Sequence, residues 1–144
     1  MLFKKRILLI EDNRDDEELT IVALRKGRIT NEIDVIRDGE EALNFLFARG
    51  QYTERVLPQV VLLDLKLPKV EGLQILKEIR ANEMTKLLPV VILTSSREER
   101  DLMAGYAGGA NSYIVKPVDS DQFMESVRQL GLYWVVLNEN LIRA

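Results

Sequence analysis

Asp64 stands directly after the aliphatic run Val60-Val61-Leu62-Leu63, and Glu11-Asp12 stand directly after Ile7-Leu8-Leu9-Ile10. Two further polar groups hold the same kind of position: Thr94 follows the run over 90–93, and Lys116 follows Ser112-Tyr113-Ile114-Val115. Open α/β sheets carry their chemistry at the carboxyl ends of buried strands, so residues placed this way converge if their strands are neighbours. Three carboxylates at one edge raise one another's pKa or must be neutralised. A hard divalent cation meets that need with oxygen ligands, and Mg2+ (or Mn2+) suits one or two carboxylates completed by waters and phosphate oxygens. The chemistry that needs such a set is attack by a carboxylate oxygen on phosphorus, giving an aspartyl phosphate, with metal and lysine offsetting the repulsion between the reacting oxygens. Asp64 would then be the nucleophile, Asp12 a direct metal ligand, Glu11 a ligand through water, and the backbone carbonyl of Lys66 a further oxygen. Thr94 and Lys116 would add a hydroxyl donor and a fixed cation.

The elements that must position these groups are visible as short apolar runs. Ile7–Ile10, Val60–Leu63 and 90–93 are continuous and aliphatic, as suits strands buried on both faces of a parallel sheet, and 32–36 and Ser112–Val115 are weaker candidates. Between them, apolar residues recur at helical spacing: Leu19, Val22 and Ala23; Ala42, Leu43, Leu46 and Phe47; Leu73, Leu76 and Ile79; Leu102, Met103 and Tyr106; Phe123, Val127 and Leu130. The order is β-α repeated five times, which predicts an α/β fold. Helix starts agree: Asn13 precedes Asp15 and Asp16, Ser96 with Glu99 reads as a capping box, and Asp119 with Gln122 resembles another. Residues 48–58 read as a polar surface connection.

Composition narrows the alternatives. A chain of 144 residues fits one domain, and 47% hydrophobic with 30% charged residues is ordinary for a globular protein. The net charge of -3 gives no footprint for direct nucleic-acid binding. With no cysteine and no histidine, disulfides, thiolate chemistry, His-ligated metals and Ser-His-Asp triads are excluded, so any metal is held by oxygen. The run after Lys4-Lys5-Arg6 is too short for a signal peptide, and nothing reaches the roughly 18 apolar residues of a membrane span. A cytoplasmic protein is the expectation.

Four motifs now line up in order. Leu9-Ile10-Glu11-Asp12-Asn13, Leu62-Leu63-Asp64-Leu65-Lys66-Leu67-Pro68 with Gly72, Leu93-Thr94-Ser95, and Gly109-Ala110-Asn111-Ser112-Tyr113-Ile114-Val115-Lys116-Pro117 resemble the receiver domain of two-component response regulators, over about residues 4–130. The resemblance implies a doubly wound five-stranded parallel sheet in the flavodoxin-like order 2-1-3-4-5, with helices on both faces. It also implies Asp64 as phosphoacceptor, Glu11 and Asp12 as the acidic pair, Thr94 as switch hydroxyl, Tyr113 as switch aromatic and Lys116 as the site lysine. The Lys116-Pro117 bond is cis in such domains, although an X-Pro bond taken singly is usually trans. The commonest acidic pair is Asp-Asp; Glu11 departs from it by one methylene and still permits a water-mediated contact.

Plainer readings account for other acids. Asp15, Asp16, Glu17 and Glu18 read as a solvated first helical turn, favoured by the helix dipole, and are left out of the site. Ser96 reads as a helix cap rather than a phosphate contact. Lys66, two positions past the acceptor, is placed where its side chain could shadow a phosphoryl group.

Beyond the core, residues 131–144 form an apolar C-terminal extension holding the single tryptophan. Phe123, Val127, Leu130, Trp134, Leu137 and Leu141 follow steps of four and three, the spacing of a helix-helix seam, so a homodimer through the fifth-helix face and tail is expected; folding back of the tail is the alternative. Thr30-Asn31-Glu32-Ile33, Asp38-Gly39-Glu40-Glu41-Ala42-Leu43, Gly50-Gln51-Tyr52 and Gly131-Leu132-Tyr133-Trp134 are similar to the small regulators that partner phytochrome histidine kinases and lack an output domain.

The resulting expectation is a stand-alone receiver that takes phosphoryl from a sensor histidine kinase and changes its binding surface, a signalling switch rather than a metabolic enzyme. An Mg2+-dependent phosphohydrolase usually wants a second acid where Lys66 stands. A nucleotide binder would want glycines or hydroxyls where Glu11-Asp12-Asn13-Arg14-Asp15-Asp16 stand. A receiver-shaped module without phosphorylation is the remaining alternative.

Overall fold

The computed structural model describes residues 6–95, 98–116 and 121–131, without the side chains of Glu99, Phe123, Met124, Val127 and Leu130. The expected cis bond at Lys116-Pro117, the caps at Ser96 and Asp119, and the seam running from Phe123 through Trp134 to Leu141 lie outside the described residues. Five strands, β1 (Ile7–Ile10), β2 (Ile33–Ile36), β3 (Val60–Leu63), β4 (Val90–Thr94) and β5 (Ser112–Val115), alternate with five helices, α1 (Arg14–Lys26), α2 (Gly39–Leu46), α3 (Gly72–Ala81), α4 (Glu99–Ala107) and α5 (Asp121–Gly131). All strand pairs are parallel and the order is β2-β1-β3-β4-β5, as the resemblance implied.

Every residue of β1, β3 and β4 is buried, which explains their continuous apolar sequence. The pleat divides them between two cores. Leu8, Ile10, Val61, Leu63, Val90 and Ile92 meet Ala42, Leu46, Ile75, Leu76 and Ile79 of α2 and α3, whereas Ile7, Leu9, Val60, Leu62, Val91 and Leu93 meet Ala23 and Leu24 of α1. The outer strands are weaker in sequence because they are half-buried: Asp34 of β2 faces outward and is gripped by Arg6, with Nε and Nη2 each donating at 2.8 Å.

The connection over 48–58 departs from a plain loop. It holds a single 3-10 turn at Gly50–Tyr52 and is strapped to α2. Arg55 donates to the terminal carbonyls of Phe45 and Leu46 at 3.1 and 2.9 Å, Tyr52 Oη donates to Glu41 at 2.6 Å, and the Tyr52 ring stands edge-on to Phe45. Arg55 thereby satisfies the C-terminal carbonyl of Leu46 and adds a second donor to that of Phe45, which also accepts from the Ala48 amide at 3.3 Å. Asn13 caps α1 as expected, accepting from the Asp16 amide at 3.0 Å. Asp38 caps α2 in the same way through the Glu41 amide at 2.7 Å. Among the described residues no helix is long and apolar enough to cross a membrane.

Candidate functional site

Register brings the carboxylates together. Ile10 lies opposite Leu63 in the β1-β3 pair, so Glu11 and Asp64 are the next residues out of the sheet at the same edge. The ladder continues one step past the strands, with the Asp64 amide donating to Ile10 at 3.0 Å and the Glu11 amide donating to Ile36 at 2.9 Å. On the other side Thr94 lies opposite Val115, and the Lys116 amide donates to the Thr94 carbonyl at 2.8 Å. Strand ends fixed by backbone bonds thus aim these side chains at one place.

Glu11, Asp12 and Asp64 each offer an oxygen within 4.8 Å of the other two. Glu11 is 1% exposed and Asp64 7%, whereas Asp12 is exposed at the mouth. One Asp64 oxygen accepts from the Lys66 amide at 3.2 Å, and the other lies 3.4 Å from Lys116 Nζ. The Lys66 side chain is exposed. Lys116 makes shorter contacts elsewhere, 2.6 Å to Glu11 Oε1 and 2.7 Å to Asp16 Oδ2.

The Asp16 contact corrects the reading of that residue as merely solvated. Its first-turn position is where the acid was expected, but the turn of α1 points it at Lys116 rather than at water. No local pattern in the sequence separates it from Asp15, which is exposed. Only the packing of α1 beside the end of β5 brings Asp16 to Lys116, while Glu17 of the same turn pairs with Arg37.

Three carboxylates, Glu11, Asp16 and Asp64, therefore surround one ammonium, and Asp12 adds a fourth at the mouth. Burial first, and then a hydrogen bond with Asp64, push the Glu11 carboxyl up to about 8, against the lowering influence of Lys116. Burial opposes the charge of Lys116, but hydrogen bonds to Asp16 and Glu11 and the charge of Asp64 outweigh it, and its pKa is raised. One lysine cannot offset this much negative charge, and the cluster's all-oxygen donors fit a hard divalent cation.

Thr94 is fully buried at the end of β4. Tyr113 lies opposite Ile92, half-buried against the core under α3, and its ring is 6.3 Å from that of Tyr106 on α4. By strand alternation Thr94 and Ile92 share a face, so the candidate switch hydroxyl and aromatic belong to the same side of the sheet. The β3-α3 connection is pressed onto the site: Gly72 opens α3, its amide donating to Leu65 at 2.8 Å, and a Cβ there would lie 2.3 Å from the Asp64 carbonyl oxygen.

The sequence matches the response regulator receiver domain over residues 7–128. It is 37% identical over 131 residues to response regulator Rcp1 of Synechocystis sp., covering 91% of this chain and 89% of that one, and the Mn2+-bound crystal structure of Rcp1 superposes with a TM-score of 0.87 over 94% and 98%. The phosphorylated cyanobacterial phytochrome response regulator RcpA gives a TM-score of 0.89 at 34% identity over 96% of this chain and 99% of that one. The probable methanogenesis regulatory protein FilR2 of Methanothrix harundinacea is 37% identical over 93% of this chain and 86% of its own.

Proposed function

The chain belongs to the response regulator receiver domain family, whose general function is to accept a phosphoryl group, and on that premise we propose that Asp64 accepts it here. Members of this family are regulators rather than metabolic enzymes. The observation that carries the proposal is the environment of Asp64: a buried carboxylate within reach of Lys116 and within 4.8 Å of Glu11 and Asp12 at the edge of a parallel sheet.

In the reaction an Asp64 oxygen attacks phosphorus, a P–O bond forms, and the P–N bond to the kinase histidine breaks, its electron pair returning to the imidazole. The Lys66 amide orients one Asp64 oxygen, and Lys116 stabilises negative charge gathering at the phosphoryl oxygens. Glu11, Asp12 and Asp64, with the Lys66 carbonyl, would hold Mg2+ or Mn2+, which when bound supplies the remaining charge compensation. Thr94 then donates its hydroxyl hydrogen to an oxygen of the new phosphoryl group, and Tyr113, beside Tyr106 of α4, carries the change to the outer surface. The exposed Lys66 side chain stands at the mouth of the site, where it slows hydrolysis; equal dephosphorylation rates in wild type and Lys66→Ala would remove that role.

The partner in this proposal is a sensor histidine kinase, and the similarity to the cyanobacterial phytochrome response regulator RcpA supports a phytochrome as that kinase. Residues 1–144 are taken as one receiver, with about 4–130 as its body and the apolar extension pairing two copies through the fifth-helix face. Sedimentation showing a monomer at all concentrations, phosphorylated or not, would remove the homodimer.

The test is intact-mass analysis after incubation with acetyl phosphate and Mg2+. The expected result is a gain of one phosphoryl group that requires Mg2+ and disappears in Asp64→Asn. A gain that persists in Asp64→Asn moves the acceptor elsewhere, and no gain in wild type leaves a receiver-shaped interaction module.

A further inference from the structure

Asp16 belongs to neither the acidic pair nor the acceptor, yet it is one of the two shortest partners of the ammonium that serves Asp64. Lys116 Nζ lies 2.7 Å from Asp16 and 2.6 Å from Glu11, against 3.4 Å from Asp64. An ammonium has three donors at fixed angles, so a position that satisfies Asp16 and Glu11 fully withholds part of its contact from Asp64.

Asp16 is also held in place from both sides. Its own amide is bound by the Asn13 side chain at 3.0 Å, and Glu17, the next residue, is gripped by both nitrogens of the Arg37 fork at 3.1 and 3.0 Å. Bidentate pairs of this kind fix orientation as well as distance. The first turn of α1 cannot easily follow Lys116 if the lysine moves.

On the receiver reading, we propose that Asp16 is a positioning residue that competes with the occupied Asp64 for Lys116 and so sets how readily the site adopts its phosphorylated arrangement. A phosphoryl group adds about two negative charges and draws the ammonium toward Asp64. Lys116 then lengthens its contact with a carboxylate that cannot follow, and that carboxylate faces a more anionic site. Both consequences favour the unoccupied arrangement. Asp16→Asn keeps the volume and an acceptor oxygen but removes the charge, which frees Lys116 for Asp64.

The experiment is a beryllofluoride titration of the full chain in saturating Mg2+, followed by amide resonances, in wild type, Asp16→Asn, Asp15→Asn and Asp64→Asn. Asp15 removes the same charge from the same turn, at an exposed position. Asp16→Asn is expected to bind beryllofluoride about fivefold more tightly, and Asp15→Asn within about twofold of wild type. Asp16→Ser provides a second uncharged variant, and circular dichroism verifies the fold of each. Equal tightening in Asp15→Asn and Asp16→Asn would reduce the effect to general charge and overturn the inference, as would unchanged or weaker binding in both Asp16 variants. A wild type that fails to bind, or an Asp64→Asn that binds equally well, would instead overturn the receiver reading and the inference with it.

Discussion

Lys116 Nζ lies 2.6 Å from Glu11 Oε1 although 105 positions separate them in the chain. Their strands are not neighbours: β3 and β4 lie between β1 and β5, so the pair spans roughly 14 Å of sheet at ~4.8 Å per strand. Only two long side chains, leaning toward each other past the strand ends, can close that gap. The extra methylene of Glu11 relative to aspartate contributes to the closure, and the pair ties the two halves of the sheet together above Asp64.

Replacing Lys116 with methionine leaves Glu11 and Asp16 without their shared cation. The metal-free fold is expected to lose about 2 kcal/mol, less than the ~3–5 kcal/mol of a broken, fully buried pair because Glu11, its carboxyl pushed up to about 8, already holds its proton near neutral pH. Mg2+ affinity should rise about tenfold once the competing ammonium is gone, while acetyl phosphate labelling falls at least about tenfold. Urea unfolding with and without Mg2+, together with intact mass, reads all three.

The raised pKa of Glu11 couples the site to pH. With the carboxyl pushed up to about 8 from an ordinary 4.5, the folded metal-free protein holds a proton that the unfolded chain releases. Stability without metal should therefore be highest below about pH 4.5 as far as this group is concerned and fall as pH rises toward 8, because the unfolded state binds fewer protons across that window. Mg2+ needs the ionised acid, so binding at pH 7 should release up to about one proton. Calorimetry in two buffers of different ionisation enthalpy measures it, and Glu11→Gln should abolish both the slope and the release.

Gly72 is required by close approach rather than by an unusual dihedral. A methyl at this position meets the Asp64 carbonyl at 2.3 Å and the Leu65 Cα at 2.7 Å, both backbone atoms that cannot swing aside. Gly72→Ala is expected to cost about 2 kcal/mol and to slow phosphorylation by displacing Asp64. Gly50→Ala is the contrast: nothing lies within 4 Å, so only its φ of +58° is penalised, at about 1 kcal/mol, with phosphorylation unchanged. Thermal unfolding and labelling rates separate the two.

Arg80 fastens the opposite end of the sheet. It donates to the carbonyls of Gly109, Lys86 and Leu88 at 2.7, 3.2 and 2.7 Å and to Asn111 Oδ1 at 3.1 Å, joining the connections before β4 and β5. Arg80→Met should cost about 2–3 kcal/mol through these carbonyls and speed hydrogen exchange at the Leu88 and Asn111 amides. Phosphorylation rates should stay within about twofold, since none of these contacts reaches the carboxylate edge.

Much of this was legible in the chain. The runs ending at Ile10 and Leu63 became β1 and β3 with the expected limits, and Asn13 caps α1 as read. Convergence of Glu11, Asp12 and Asp64 followed from their placement just past strands that prove to be neighbours. Asp16 was misread because four acids in succession look alike in sequence; which of them meets a cation depends on helix azimuth and on what packs beside it. The strap over 48–58 was missed for a related reason, since Arg55 and Tyr52 act on α2 through contacts nine to eleven positions away that follow no period.

The amino-acid sequence alone determined the elements, the strand-end location of the reactive groups and the oxygen-only character of any metal site. Those properties are local: burial periodicity, capping and composition act over a few residues, and the absence of histidine and cysteine needs no folding to take effect. Tertiary structure alone decided how Lys116 divides itself among Glu11, Asp16 and Asp64. That division is set to tenths of an ångström by sheet register, strand order and the seating of α1, and a hydrogen-bond energy that changes steeply over such distances is invisible to any pattern along the chain.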